Sequence, residues 1–271
     1  FIVCWVEASD ILATGVRNDS TVLNTIIVAS GTDLQIAPDA GGEATTIDDE
    51  ATVVWWNFTT NEIEARSVSI SAAGTVFNQS GIVNITAGTG GSGDFVPGIS
   101  KSGGSTGNHL IVWQRSFTGD SEIRGHIVDR NLNSLDSFIS ITSNSEDDLD
   151  PDCDGDGTNW VVAWERDEVA DPTSQDIYAR SVYLAPGNSG ELGPAEFGVE
   201  VQIGDDEFDP TVAWIGNAAL VGFTDGDSTG DDDIYVTSLD PFTCQRCEGF
   251  DFFVDGGTTA NNFVALASQF S

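Results

Sequence analysis

Asp209–Asp240 reads DPTVAWIGNAALVGFTDGDSTGDDDIYVTSLD, and it decides the fold because it is one complete unit of a repeat. An Asp-Pro pair opens it, followed by a short apolar strand, Thr211 to Trp214, and a Gly216-Asn217 turn. The second strand, Ala219 to Phe223, is apolar nearly throughout, as a strand covered on both faces must be. An acidic, glycine-rich loop from Asp225 to Asp233 then leads into Ile234 to Leu239, whose alternation marks one buried face.

Further copies lie on both sides. The second strand recurs as FIVCW, TVVW, LIVW, VVAW and LVGF, ending at Trp5, Trp55, Trp113, Trp164 and Phe223, at intervals of 50, 58, 51 and 59 residues. The third strand keeps step at Ile11, Ile63, Ile123, Ile177 and Ile234. The opening proline recurs at Pro97, Pro151 and Pro210, with Pro38 as a more distant copy. Landmarks repeating together at such a period mark a propeller, a solenoid or an array. Each unit is too short for a β-sandwich of its own. Stacking small twisted sheets radially buries both faces of each and protects their edges.

The expectation is therefore an all-β chain forming a single β-propeller domain over residues 1–271. Its units fall at about 1–49, 50–107, 108–158, 159–216 and 217–248, with a partial unit at 249–271. The last assignment lays Gly249 to Gly256 over Glu207 to Ile215, and predicts six or seven blades, the chain beginning and ending within a blade. A radial stack of Trp5, Trp55, Trp113, Trp164 and Phe223 is the expected core.

Pro210, Trp214, Phe223, Ile234 and Tyr235 also resemble the WD40-like repeat of TolB-type propellers. The resemblance covers the repeats loosely, and departs from that family at Gly216-Asn217, where an Asp-Gly turn is usual, and in the longer period. It implies a fold and not a function, since propellers host many functions.

Composition narrows the partners. Asp and Glu number 44 against 9 Lys and Arg, a formal net charge of −35. A surface this acidic repels nucleic acid and anionic membrane and favours cations, basic partners or high salt. Lys101 is the only lysine. The longest apolar runs are too short to span a membrane. Residue 1 is Phe and the first copy begins at a second strand, so the expectation is a processed or trimmed piece of a secreted or cell-surface protein.

Among ligand-like motifs, Asp150-Pro-Asp152-Cys-Asp154-Gly-Asp156-Gly157 reads as an acidic turn. Asp152, Asp154 and Asp156 there are the candidate metal ligands, for calcium. The motif departs from an EF-hand, whose closing glutamate would fall at Ala163. Cys244-Gln-Arg-Cys247 lacks the strand-to-helix context of a redox CxxC, so Cys244 and Cys247 are expected to form a local disulfide. Cys4 reads as an inert thiol. Glycosylation triplets begin at Asn18, Asn57, Asn78 and Asn84. Acidic residues near the second hairpin recur in each copy (Glu62, Asp120 and Glu122, Asp176, Asp225), which speaks for a structural role. No nucleophile elbow accompanies His109 or His126.

The sequence-based expectation of function is a non-catalytic binding or assembly module, possessing calcium-held loops and a protein or carbohydrate partner at the cell surface, with self-association through its end strands. Two alternatives stand beside it. One is a polysaccharide-acting propeller enzyme, which requires carboxylates unique to one blade and converging on the channel. The other is a salt-adapted scaffold without metal.

Overall fold

The computed structural model describes residues 1–42, 49–87, 93–101, 103–167, 175–200, 206–226, 232–247 and 252–255. These build five antiparallel sheets with no helix among the described residues. Sheet one holds β1 (Ile2–Glu7), β2 (Asp10–Val16) and β3 (Val22–Ala29). Sheet two holds β4 (Gln35–Gly42), β5 (Asp49–Asn57), β6 (Glu62–Ile70), β7 (Val76–Asn78) and β8 (Val83–Asn84). Sheet three runs β9 (Asp94–Ile99), β10 (His109–Ser116), β11 (Ser121–Val128), β12 (Ile139–Ser140). Sheet four contains β13 (Asp147–Gly155), β14 (Asn159–Asp167), β15 (Gln175–Ala185), β16 (Ser189–Leu192) and β17 (Phe197–Glu200). Sheet five contains β18 (Asp206–Trp214), β19 (Ala219–Gly226), β20 (Asp232–Leu239) and β21 (Phe252–Asp255).

Within each sheet the strands pair in chain order, except that β8 pairs with β6 and β17 with β15. The first strands of sheets two to five, β4, β9, β13 and β18, contact one another in succession and form the inner strands, with β1 against β4. Four apolar clusters fill the gaps between successive sheets, each taking buried residues from two neighbours. This is the propeller arrangement; the described residues form five sheets, where six or seven blades were expected. The C-terminal overlay differs from the structure in one respect: Phe252–Asp255 pairs with β20 as a further strand of sheet five instead of opening a new unit. Residues 262–266, read as a further second strand, lie outside the described residues. The sequence units also cut each sheet one strand late, since each begins at a second strand while the sheets begin at Gln35, Asp94, Asp147 and Asp206.

The repeat fixes one register throughout. Trp55 faces Glu64, Trp113 faces Arg124, Trp164 faces Tyr178 and Phe223 faces Tyr235, with the landmark isoleucine one position before each partner. Trp5 faces Leu12 in the same way, so β1 is the counterpart of β5, β10, β14 and β19. Trp55, Trp113 and Trp164 are fully buried, and Trp5 is half-buried. Losing one of the buried three would cost about 3–5 kcal/mol.

Each inner strand of sheets two to five carries a β-bulge at its proline. The residue before it takes a left-handed backbone: Ala37 (φ 49°), Val96 (42°), Asp150 (43°) and Asp209 (54°). This makes Pro38 a true copy of the other three. A bulge bends the strand and re-aims the side chain at its apex.

The inner strands are tied across sheets by side chains. Ile99 N–H donates to Asp39 Oδ2 (2.9 Å), and Lys101 N–H donates to Asp154 Oδ1 (2.9 Å). Val212 N–H donates to Asp152 Oδ2 (2.8 Å), and Trp214 N–H to Asp154 Oδ2 (2.7 Å). Part of the acidic excess thus serves as acceptors between blades, where buried backbone donors must find partners.

Candidate functional site

The inner-strand bulges of sheets four and five bring carboxylates together at one place. Asp150 and Asp209 occupy the two bulge apices, and Glu165 ends the apolar run of β14 beside them. Asp209 N–H donates to Glu165 Oε1 at 2.7 Å. Glu165 is 4% exposed, whereas Asp150 is open to solvent and Asp209 is half-buried. Burial pushes the Glu165 carboxyl up to about 8; the Asp209 N–H opposes this, and the charges of Asp150, Asp209 and Asp167 add to it. Asp150 and Asp209 also lie above the ordinary carboxylate range, through lost hydration and, for Asp150, the charge of Asp209. At neutral pH the arrangement is one protonated acid beside carboxylates that ionise more readily, the division of labour that acid–base chemistry needs.

The cluster is not part of the repeat. The positions equivalent to Glu165, one residue after the landmark aromatic, hold Val6, Trp56, Gln114 and Thr224. The bulges of sheets two and three carry Ala37 and Val96. At the Glu165 position of sheet two, Trp56 packs against Phe95 (centroids 4.9 Å apart, edge-on) and Phe58 (5.1 Å). Phe58 is 50% exposed, which leaves an aromatic face open to solvent.

A second polar group lies along the inner strands. Lys101 Nζ contacts the carboxylates of Asp39 and, at 3.7 Å, Asp152. Burial alone would lower the Lys101 ammonium, but Asp39 and Asp152 hold it above its ordinary value. The only lysine is thus a tie between sheets two and four.

The acidic motif expected to bind calcium is a strand where a turn was read. Asp152 and Asp154 lie in β13, and their oxygens accept the inter-sheet bonds from Val212, Lys101 and Trp214. Asp156 sits beyond the strand, accepting N–H bonds from Thr158 (2.9 Å) and Asn159 (2.7 Å) in the hairpin turn. Among the described residues no group of three or more His, Cys, Asp or Glu has the geometry to hold a metal ion.

Cys244 and Cys247, expected as a local disulfide, are not bonded to each other in this structure. Cys244 is buried with its Sγ 3.1 Å from Ser181 Oγ, and Cys247 N–H donates to Ser238 O, so the two residues serve different contacts. Cys4 is half-buried, its thiol pushed up to about 12 by burial and by Asp39, in keeping with an inert role. Asn57 is 3% exposed and its Oδ1 accepts the Thr59 and Thr60 N–H groups, so its triplet is structural. Asp227 and Asp231 lie outside the described residues.

The fold has counterparts among solved structures. One is an α-L-arabinanase from Penicillium chrysogenum complexed with arabinobiose: 14% identity, TM-score 0.53, covering 78% of this chain and 66% of that one. Another is an α-L-arabinofuranosidase from Fusarium graminearum in complex with an iminosugar inhibitor: 8% identity, TM-score 0.50, covering 88% of this chain and 76% of that one. The chain therefore spans just under two thirds of the arabinanase. No family model matches the sequence, and no curated protein matches it significantly. The likeness establishes a β-propeller, and not one of the TolB type that the repeat resembles. It also corrects the expectation of a non-catalytic binding or assembly module. The two solved structures are named as enzymes, an arabinanase and an arabinofuranosidase, where the expectation was a non-catalytic module.

Proposed function

We propose that the protein is a polysaccharide-acting propeller enzyme that cleaves a glycosidic bond with a pair of carboxyl groups. The observation that carries this reading is the Glu165–Asp150–Asp209 cluster, whose carboxylates belong to two blades only and break the repeat. Glycoside hydrolysis takes one carboxyl protonated at working pH to give its proton to the leaving oxygen, and a second, ionised, to act as nucleophile or to activate water. Glu165, raised to about 8, fits the first role. Asp150, open to solvent at its bulge, fits the second, and Asp209 orients Glu165 through its backbone N–H. The exposed Phe58 edge beside Trp56 offers an apolar face on which a sugar ring can lie.

Arabinose-containing polysaccharides are the first substrates to try, because the solved propellers of like fold are described as acting on them. The test is release of reducing ends from a panel of polysaccharides by the wild-type chain and by Glu165→Gln and Asp150→Asn. The reading expects turnover on at least one substrate, with either variant slower by about 10²–10⁴-fold. A panel left intact by the wild type, or variants as active as the wild type, would overturn it.

A further inference from the structure

The turn that follows the third strand has the same build in sheets three and five. In sheet three it runs from Asp129 to Asn133. Asp129 Oδ1 accepts the N–H groups of Asn131 (2.8 Å) and Asn133 (2.9 Å), and Leu132 takes a left-handed backbone (φ 63°). In sheet five it runs from Asp240 to Gln245. Asp240 Oδ1 accepts from the N–H groups of Phe242 (3.0 Å) and Thr243 (2.8 Å), and Cys244 is the left-handed residue (φ 53°). Leu132 N–H donates to Asp129 O as Cys244 N–H does to Asp240 O. Both left-handed residues are buried against the preceding sheet: Leu132 in the cluster between sheets two and three, Cys244 in the cluster between sheets four and five.

The sheets that receive these turns match as well. Arg66 Nε donates to Ser80 O (2.9 Å) in sheet two, as Arg180 Nε does to Pro194 O (3.2 Å) in sheet four. Ser67 O accepts Gln79 N–H as Ser181 O accepts Gly193 N–H, each at 2.8 Å. Within this common frame the side chains differ. The buried Leu132 gives way to the shorter Cys244, and Asn131 to Phe242. Counted from the landmark isoleucines, Ser69 gives way to Tyr183, and Asn78 to Leu192.

A cavity of about 500 Å³ opens at this place, lined by Asn159, Tyr183, Leu192, Pro194, Pro241 and Phe242 among others. None of its described lining residues carries a charge, in a chain of net charge −35. Phe242 is 62% exposed, although Asp240 fixes its turn. The Tyr183 hydroxyl donates to Glu191 Oε2 (2.9 Å), which holds the ring in place. Asn159 Nδ2 makes only long bonds to Asp156 (3.3 and 3.4 Å), so its amide is open to a further partner. Aromatic and apolar walls with a few polar groups are the composition of a small-ligand site.

We infer that this cavity binds a short stretch of an uncharged oligosaccharide, with the C–H faces of its rings against Phe242 and Tyr183 and its hydroxyls towards the Asn159 amide. An acidic sugar would find no cation in the described lining and a strongly acidic protein around it. A wholly apolar ligand would leave the Asn159 amide covered and without a partner. The choice of a sugar rests on the polysaccharide reading, but the place is distinct from the candidate active site. Asn159 and Glu165 are six residues apart on β14, about 20 Å at the rise of a strand. The cavity is thus a second hold on the same polymer.

Fluorine NMR gives a test at residue level, because the chain has three tyrosines, Tyr178, Tyr183 and Tyr235. Arabinohexaose is titrated into the whole chain labelled with meta-fluorotyrosine and carrying Glu165→Gln to prevent cleavage. The Tyr183 resonance, identified by its loss in Tyr183→Ser, is expected to shift saturably. Phe242→Asn, which installs the residue found in the turn of sheet three, is expected to weaken that binding by about tenfold or more. Hexagalacturonate, an acidic counterpart, is expected to leave the resonance unmoved. A Tyr183 resonance that ignores arabinohexaose, responds equally in Phe242→Asn, or responds equally to hexagalacturonate would overturn the inference. The two readings fail separately. Cleavage by the wild type with a silent Tyr183 resonance removes the second site alone, and a responding resonance in a chain that cleaves nothing removes the enzyme alone.

Discussion

Sheets four and five have the same strand order, the same register and the same stacked aromatic pair, yet opposite electrostatics at one point. Asp148 is a fully buried carboxylate with four donors around it, and Glu207 is a fully buried carboxyl with three acids around it. The backbone ladder and apolar packing fix where the side chains stand, and neither depends on the charges they carry. A propeller can therefore exchange a structural ion pair in one blade for a group of acids in the next without disturbing the fold. Glu165 teaches the same lesson: one position after the landmark aromatic, the repeat tolerates Val, Trp, Gln, Thr or Glu.

The sharpest way to break the comparison is Arg166→Leu. Removing the guanidinium leaves Asp148 buried without its ion-pair partner, and a loss of about 3–5 kcal/mol is expected in chemical denaturation. A loss well under 1 kcal/mol would mean that the ion pair of sheet four matters no more than a surface pair. The converse change, Asp225→Arg, rebuilds the sheet-four pair in sheet five and is expected to stabilise by about 1 kcal/mol. A destabilised variant would show that the two faces are less alike than their register implies.

The pH dependence separates the sheets further. The folded protein raises Glu207 from 4.5 to about 9, so folding favours its protonated form. Its contribution is fully present below about pH 4.5 and is lost as pH rises towards 9. Glu165, raised from 4.5 to about 8, acts in the same direction. The thermal midpoint is expected to fall between pH 5 and 9, and Glu207→Gln to flatten the upper part of that slope. A midpoint that climbs over this range in the wild type would contradict the buried-acid picture. The smallest effect concerns what the sheets share: Pro151→Ala and Pro210→Ala sit at equivalent bulges and are each expected to cost about 0.5–1 kcal/mol.

Much of the fold was legible in the residues. The spacing of Trp55, Trp113, Trp164 and Phe223, each followed by its isoleucine, marked strand and hairpin because a strand buried on both faces must be apolar without interruption. Blade number was harder to read. The run FDFFVDG at 250–256 is as apolar as a first strand, and only its pairing with β20 makes it an outer one. The motif at 150–157 reads as a turn because it alternates aspartates with Pro and Gly, whereas Asp147–Gly155 is a strand whose Asp152 and Asp154 accept from backbone donors of neighbouring blades. Glu165 carried no local signal among 44 acidic residues. Its partners Asp150 and Asp209 sit 15 residues before it and 44 after, so only the meeting of two inner-strand bulges reveals the group. The relation of Asp225 to Arg166 was hidden likewise, since it depends on register across hairpins of unequal length.

The most direct test of the catalytic account is the pH–rate profile for reducing-end release on whichever polysaccharide the wild-type chain cleaves. The account predicts a bell whose alkaline limb falls near pH 8, where Glu165 loses its proton, with that limb and most of the turnover absent in Glu165→Gln. A profile unchanged in Glu165→Gln, or full activity well above pH 9, would contradict it.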